Sequence, residues 1–163
     1  YNIFQIRELT PLDKEEAWEL LTASVAKYYS YDPIALETIL TVSDFKPIEL
    51  QRLGYLSVNA MLNRPASAKN AKSDLLSQYV IRKEDVDKAI QQALNDKEME
   101  YRNFWDELAP EQQKALYKAI KADGWIGDSQ LITREKHFNI VLLDNGKLRL
   151  TRMFILWLQK GRT

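Results

Sequence analysis

The sequence predicts a mainly α-helical protein, in which a helical bundle is followed by a helical unit that contains one small β-hairpin. Hydrophobic residues make up 45% of the 163 residues, and only five glycines and five prolines are present to interrupt helices. This composition is typical of a packed globular chain and not of a disordered one. Helix-capping residues recur along the chain, and a strong hairpin signal, Asn145-Gly146, lies near its C-terminal end.

Composition also excludes several kinds of site. The chain has no cysteine, which excludes disulfides and thiolate metal sites, and its one histidine, His137, cannot build a histidine-based zinc site. No apolar run approaches the roughly 18–20 residues that are needed to span a bilayer. We therefore expect a cytoplasmic protein without a metal centre and without a membrane segment.

Charge is unevenly distributed along the chain. The net charge is zero, yet residues 111–163 are rich in lysine and arginine, whereas the preceding residues are rich in aspartate and glutamate. Three interpretations are open: the two parts attract one another, they face different partners, or both are ordinary solvated surface.

The first helix is predicted from its capping residues. Residues 2–9 alternate like a strand, which either joins the hairpin or pairs with a sheet outside this chain. Asp13 then caps a helix, with Glu16 at the capping-box position. We expect the apolar face of this helix to be buried and Trp18 to cover it. That face consists of Ala17, Leu20, Leu21, Ser24 and Val25.

Two further helices begin at prolines. Asp32 and Pro33 are the predicted N-cap and first residue of the second helix, and Pro47 opens the third. Between these helices, residues 43–46 break the helical pattern. The second helix is expected to bury Ile34, Leu36, Ile39 and Leu40, and the third to bury Leu50, Leu53, Gly54, Leu56, Val58 and Met61.

The middle of the chain combines a surface loop with two helices. Residues 63–72 are rich in small and polar types and predict a loop. A short extended piece at residues 79–81 leads into a helix that runs through Leu94. The helix at residues 99–108 carries an aromatic stripe, which we expect to be core that joins the two halves of the chain. The stripe consists of Tyr101, Phe104, Trp105 and Leu108.

The last third of the chain predicts a winged helix-turn-helix. A helix at residues 110–122 ends at Asp123-Gly124, and glycine is the residue that helix C-termini prefer. Residues 125–126 are expected to form a short strand, and residues 133–142 the recognition helix. Residues 142–150 alternate around Asn145-Gly146 as a hairpin, which would be the wing. An aromatic helix closes the chain.

Basic and polar residues on these elements are candidate nucleic-acid ligands. In one hypothesis, the recognition helix enters a major groove and the wing contacts phosphates. In the other, the winged helix packs against protein, since the recognition helix is poorly basic for a DNA reader. The candidates are Arg134, Lys136, His137 and Asn139 on the helix, and Lys147, Arg149 and Arg152 on and after the wing.

Four successive segments resemble the region that follows the nucleotide-binding core in AAA-like and STAND-type regulatory ATPases of bacteria and archaea. They read IRELTPLDKEEAWELLT, YDPIALETILTVSDFKPIELQRLG, VIRKEDVDKAI and FWDELAPEQQKAL, and the resemblance covers roughly residues 3–160. It implies a strand at residues 1–9 left from a nucleotide-binding domain, a helical lid domain at residues 10–96 and a winged-helix domain at residues 97–163.

The resemblance also implies partners and cofactors. The parent chain would bind ATP and magnesium through an upstream nucleotide-binding domain, and this chain has no GxxxxGK[ST] phosphate-binding loop of its own. In the glycine-x-proline element of the family, the proline packs near the nucleotide base. Pro47 matches that proline, and Phe45 stands in the glycine position. We expect no catalytic residue and no bound cofactor in this chain alone.

Two functional hypotheses follow. In the first, the chain is the non-catalytic lid and winged-helix part of a signal-transducing or regulatory ATPase, and it couples nucleotide state to contact with a protein or with DNA. The alternative is a freestanding winged-helix transcriptional regulator that binds DNA. The sequence leaves open the signal, the oligomeric state, the choice between DNA and protein, and whether the parent hydrolyses ATP.

Overall fold

The protein is mainly α-helical, with two small sheets of two strands each, in the computed structural model. The structure describes residues 10–65, 79–126, 139–144 and 147–161, which form seven helices and four short strands. The predicted strand at residues 2–9 and most of the predicted loop at residues 63–72 lie outside these ranges. The mainly helical class that the sequence predicts is therefore confirmed for the described part of the chain.

The chain divides into two compact units, Tyr1–Ile90 and Gln91–Thr163. The division falls inside one helix, α4 (Lys83–Asp96). The predicted limits of a lid domain and a winged-helix domain, at residues 96 and 97, stay predictions.

Helix α1 (Lys14–Thr22) begins where its capping residues predict. The backbone N–H of Glu16 donates to Asp13 Oδ1 at 2.8 Å, and the N–H of Asp13 donates to Glu16 Oε2 at 3.0 Å. This reciprocal pair satisfies two of the N–H groups that a helix start leaves without intrahelical partners.

The buried face of α1 is narrower than predicted. Ala17 and Leu21 are buried, but Leu20 and Ser24 are exposed and Trp18 is 52% exposed. Ala17 and Leu21 are four residues apart and lie on one face, whereas Trp18 and Leu20 project from its flanks. The prediction that Trp18 covers the core is therefore wrong.

Helices α2 (Pro33–Val42) and α3 (Pro47–Leu62) start at their predicted prolines. The Asp32 carboxylate accepts the N–H of Ile34 at 2.9 Å, which caps α2. Helix α2 buries Ala35, Ile39 and Leu40, but Ile34 is 64% exposed because it shares the outer face with Thr38 and Thr41. Most of the residues predicted for α3 are buried, and they are Leu50, Leu53, Gly54, Leu56 and Met61.

A parallel pair of two-residue strands joins distant parts of the first unit. Strand β1 (Ser30–Tyr31) pairs with β2 (Val80–Ile81), in the register Ser30 with Val80 and Tyr31 with Ile81. The sequence predicts β2 as an extended piece but not β1, because Val80 and Ile81 are both β-branched, whereas Ser30 has no preference for strands. Burial, reinforced by the neighbouring Tyr29, raises the pKa of the Tyr31 hydroxyl.

A buried ion pair ties the end of α3 to the start of α4. Arg64 Nε donates to Asp85 Oδ1 at 2.9 Å, and a second Arg64 nitrogen contacts Asp85 Oδ2. The same guanidinium donates to the Val80 carbonyl at 2.7 Å, and the N–H of Arg82 donates to Asp85 Oδ2 at 2.8 Å. The two side chains are only 10% and 2% exposed. One guanidinium therefore connects α3, β2 and α4.

The second unit is built around an aromatic core. It contains α5 (Glu98–Glu107), α6 (Pro110–Lys121) and α7 (Arg152–Lys160). Tyr101 and Phe104 pack edge-to-face against Phe154, with ring centroids 5.2 and 5.5 Å apart. Two residues of the predicted aromatic stripe, Tyr101 and Phe104, are thus core, whereas Trp105 and Leu108 are half-buried. The ring partners of Tyr101 and Phe104 lie on α7 within the second unit. The expectation that the stripe joins the two halves is not supported by these contacts.

The predicted hairpin forms, and it begins one residue earlier than predicted. Strand β3 (Val141–Asp144) pairs antiparallel with β4 (Lys147–Leu150), with Val141 opposite Leu150. The predicted recognition helix at residues 133–142 therefore cannot extend to residue 142. Asn139 and Ile140 lie in a turn, and residues 133–138 lie outside the described ranges. Strand pairing and burial at Val141 outweigh the helical pattern there.

The segment after α6 runs beside the hairpin. Trp125 forms a bridge to Arg149, and the N–H of Ile126 donates to the Leu148 carbonyl at 3.1 Å. Gly124 precedes this bridge with φ of 87°, and a Cβ at Gly124 would lie 2.9 Å from Ile155 Cδ1. Glycine is therefore favoured here by the backbone conformation, and any larger residue would also force the Ile155 side chain to shift.

Replacing Arg64 tests the buried ion pair. Arg64→Met keeps most of the aliphatic length but leaves Asp85 buried without its guanidinium, so we expect the free energy of unfolding to fall by about 3–5 kcal/mol. Urea denaturation measures this change. The matched control is Lys14→Met, which breaks an ion pair whose side chains are 58% and 59% exposed and should cost less than about 1 kcal/mol. Equal losses in the two variants would contradict the role given to Arg64.

Candidate functional site

The turn that precedes Pro47 is the first candidate site, because it stores backbone strain. Pro47 is the first residue of α3, and the connection from α2 consists of residues 43–46. Two consecutive residues of this turn, Asp44 and Phe45, have φ of 51° and 57°. Such left-handed conformations favour glycine, and they cost other residues about 1–2 kcal/mol each. Strain of this kind concentrates at functional sites.

Buried hydrogen bonds hold the strained turn in place. The Ser43 side chain is buried; its hydroxyl donates to the Leu40 carbonyl at 2.9 Å and accepts the N–H of Phe45 at 3.2 Å. The N–H of Leu12 donates to the Phe45 carbonyl at 2.9 Å. The turn is therefore fixed both to the end of α2 and to the segment that leads into α1.

Two buried carboxylates bracket the start of α3. Asp44 is 5% exposed and Glu49 is 7% exposed. Glu49 lies in the first turn of α3, where the positive end of the helix dipole favours negative charge. Pro47 thus lies in the sequence between two buried acidic residues. It directly follows the turn in which residues 44 and 45 have left-handed conformations.

The hairpin and its surroundings form the second candidate site. Of the predicted nucleic-acid ligands, Lys147 is exposed at the start of β4, and Arg149 is half-buried on the same strand. Arg134, Lys136 and His137 lie outside the described residues. Whether any of these residues contacts nucleic acid stays a prediction.

The other two predicted ligands have acidic partners within the second unit. Both terminal nitrogens of Arg152 donate to the Asp123 carboxylate, at 2.7 and 3.2 Å. This guanidinium lowers the pKa of Asp123 below its ordinary value. The Asn139 side-chain amide donates to Glu100 Oε1 at 2.9 Å. The positive charge of Arg152 is therefore offset locally, and the Asn139 amide is already engaged.

The second unit contains a cavity that the sequence does not predict. The cavity measures about 380 Å³ and is lined by side chains of α5, α6 and α7, among them Trp105 and Trp157. The sequence places both residues on aromatic helices, and it predicts Trp105 to be core. A signal was present on α5, where Glu98, Arg102 and Asp106 recur every four residues beside Trp105. That spacing places three charges on one helix face.

The described residues carry neither a metal-binding cluster nor a membrane span. Within residues 10–65, 79–126, 139–144 and 147–161, no three His, Cys, Asp or Glu side chains are grouped so that they could hold a metal ion. None of the helices in the same ranges is long and apolar enough to cross a bilayer.

Comparison with known proteins identifies no relative. No protein-family model matches the chain, and neither a curated protein nor a solved structure matches it at a significant level. Function is therefore inferred from the contacts of the chain's own residues.

Substitutions at Phe45 test the strained turn. Phe45→Gly and Phe45→Ala both remove the ring, but only glycine adopts a φ of 57° without a Cβ penalty. We expect the glycine variant to be more stable by about 1 kcal/mol in urea denaturation.

The control position is Gln51, which is exposed inside α3. There the order should reverse, with alanine more stable than glycine by about 1 kcal/mol. The same order at both positions would mean that Phe45 does not adopt the left-handed conformation.

Proposed function

We propose that this chain is the non-catalytic lid and winged-helix region of a regulatory, ATP-binding protein of the cytoplasm. In this role the first unit closes over a nucleotide held by an upstream domain of the same chain, and the second unit contacts a partner. ATP and magnesium would be bound by that upstream domain. The observation that carries the proposal is the backbone conformation of Phe45.

Phe45 stands where the resembled family has the glycine of its glycine-x-proline element. Its φ of 57° lies in the region that glycine adopts most readily. A left-handed conformation would explain why the family has glycine at this position, and Phe45 adopts that conformation although it is a phenylalanine. Pro47 follows two residues later at the start of α3. This combination supports the match of residues 45–47 to that element, and with it a place for Pro47 near a nucleotide base.

The order of elements in the second unit supports a winged helix. Helix α6 is followed by Trp125, which bridges to β4, then by the β3–β4 hairpin and by α7. Strand β4 therefore lies between Trp125 and β3. A short extended piece packed beside a hairpin is the arrangement expected for residues 125–150 of a winged helix.

The contacts of the second unit favour a protein partner over DNA. Arg152 is paired with Asp123, and Asn139 donates to Glu100. A phosphate would have to compete with these carboxylates for two of the predicted ligands, and each phosphate contact that is lost weakens DNA binding. We therefore assign the winged helix to contact with protein.

Substitution of Pro47 in the product of the complete reading frame tests the proposal. Pro47→Ala removes ring contacts with the base, so we expect the affinity for a fluorescent ATP analogue to fall about 10-fold, which corresponds to about 1.4 kcal/mol. The control is Pro33→Ala, because Pro33 is also the first residue of a helix and should leave the affinity unchanged. An upstream sequence without GxxxxGK[ST], or unchanged ATP affinity in folded Pro47→Ala protein, would reject the proposal.

A DNA-binding regulator is the second candidate, and one observation favours it. Lys147 is exposed on the hairpin, and α6 exposes Lys114, Lys118 and Lys121 along one side. Lysines on neighbouring elements are the usual electrostatic footprint of phosphate binding.

A duplex titration separates the two candidates. Fluorescence anisotropy with a labelled duplex, at about 50 and 200 mM salt, compares Lys147→Ala with Lys27→Ala, which removes an exposed lysine from the first unit. We expect weak binding that is reduced equally by both substitutions, because non-specific attraction depends on total charge. A loss confined to Lys147→Ala would establish the hairpin as a DNA contact and overturn the assignment to protein.

A further inference from the structure

The cavity of the second unit has the size and lining of a small-ligand site. Its volume of about 380 Å³ falls within the range of roughly 300–1,000 Å³ that is typical of ligand pockets. Three aromatic and four charged side chains line the cavity, and we call the aromatic group its walls and the charged group its rim. The walls include Trp105, Tyr117 and Trp157, and the rim carries Glu98, Arg102, Asp106 and Lys160.

The three aromatic rings are half-buried, and each packs against a neighbouring ring. The Trp157 indole stacks on the buried ring of Phe154, at a centroid distance of 5.5 Å and an interplanar angle of 16°. Its N–H donates to Glu98 Oε2 at 2.7 Å. Trp105 and Tyr117 meet edge-to-face with centroids 5.0 Å apart. A ligand therefore meets walls that are already ordered, which lowers the entropic cost of binding.

The charges on the rim are tied to neighbouring groups. Arg102 donates to Glu98 Oε1 at 2.7 Å, and this hydrogen bond, followed by that of the Trp157 indole, lowers the pKa of Glu98. Glu98 is therefore a carboxylate throughout the physiological pH range. Lys160 donates to Asn95 Oδ1 at 3.0 Å. Asp106 lies one helical turn beyond Arg102 on the same face of α5.

We propose that this cavity binds a methylated ammonium group. The faces of tryptophan and tyrosine rings carry negative electrostatic potential, and tryptophan is the strongest cation–π partner. Two carboxylates balance the two cations among the lining residues, so the three aromatic rings are what favours a positive ligand over a negative one. A methylated ammonium sheds water more easily than a bare one, and its methyl groups pack against the rings and against Leu158, which also lines the cavity.

The proposal is independent of the function assigned to the rest of the chain. The same head group occurs in free quaternary ammonium compounds and in the side chain of trimethyllysine. Both sources fit the chemistry of the cavity.

Indole N–H signals in ¹⁵N–¹H NMR spectra test the site directly. The chain has four tryptophans, and only Trp105 and Trp157 line the cavity, so Trp18 and Trp125 serve as internal references. Choline should shift the first two signals and leave the references in place. The neutral isostere 3,3-dimethyl-1-butanol should bind at least about 10-fold more weakly, because it lacks the charge. Equal binding of the two probes, or equal shifts at all four indoles, would overturn the proposal.

A second arm distinguishes the sources of the head group. Nα-acetyl-trimethyllysine amide and its unmethylated form are titrated in the same way. Trimethyllysine should bind at least as tightly as choline and about 10-fold more tightly than lysine. A gain over choline assigns the site to a methylated side chain, and equal affinity assigns it to the head group alone. Tighter binding of unmethylated lysine would reject the methylated ammonium.

A tryptophan substitution completes the test. Trp105→Leu removes one aromatic wall and should weaken choline binding about 10-fold. Trp18→Leu, at an exposed position in the first unit, should leave the affinity unchanged. The remaining indole signals report whether each variant is folded. If Trp105→Leu unfolds, the second variant is Trp157→Phe, which keeps an aromatic ring at position 157. Unchanged choline affinity in a folded Trp105→Leu protein would overturn the proposal.

Discussion

The first unit depends on the fact that Asp85 cannot be buried alone. An ionised carboxylate at 2% exposure is strongly unfavourable unless a counter-charge and hydrogen bonds replace the lost water. Arg64 supplies both, and the same guanidinium also satisfies the Val80 carbonyl. Because Arg64 follows α3 and Asp85 lies in the first turn of α4, this one contact fixes the start of α4 against the end of α3. The hydrogen bond from Arg64 to the Val80 carbonyl also holds β2, the strand that pairs with β1, beside them.

The strained turn before Pro47 is also held in place by specific hydrogen bonds. A buried serine and a backbone hydrogen bond from Leu12 restrain Phe45 in a conformation that phenylalanine disfavours. The same backbone geometry is the basis of our proposal that residues 45–47 match a glycine-x-proline element, so the proposed role of Pro47 depends on the conformation of this turn.

The second unit is held together differently, by packed rings. Tyr101, Phe104 and Trp157 surround Phe154, which is fully buried. Aromatic pairs of this kind contribute beyond the area that they bury. The packing also orders the walls of the neighbouring cavity, because the indole that lines the cavity is the one stacked on Phe154. The aromatic core and the candidate ligand site therefore share Trp157.

Local chemistry determined much of the fold. Asp13, Asp32 and Pro47 mark helix starts because capping and proline geometry involve only neighbouring residues. The hairpin is likewise predicted by alternation around Asn145-Gly146. The position of Pro47 at a helix start followed from the sequence, but the left-handed conformation of Phe45 did not, since nothing in a phenylalanine indicates positive φ.

Only the tertiary structure decided which side chains meet. Leu20 and Ile34 were predicted to be buried and are exposed, because the width of a buried face depends on the elements packed against it. Val141 lies in a strand and not in a helix because its partner, Leu150, holds it there. The sequence by itself determined where most helices begin and that the chain is mainly helical. The ion pair of Arg64 and the closing of three helices around the cavity arise from contacts between residues far apart in the chain, and short-range patterns do not show which distant residues meet.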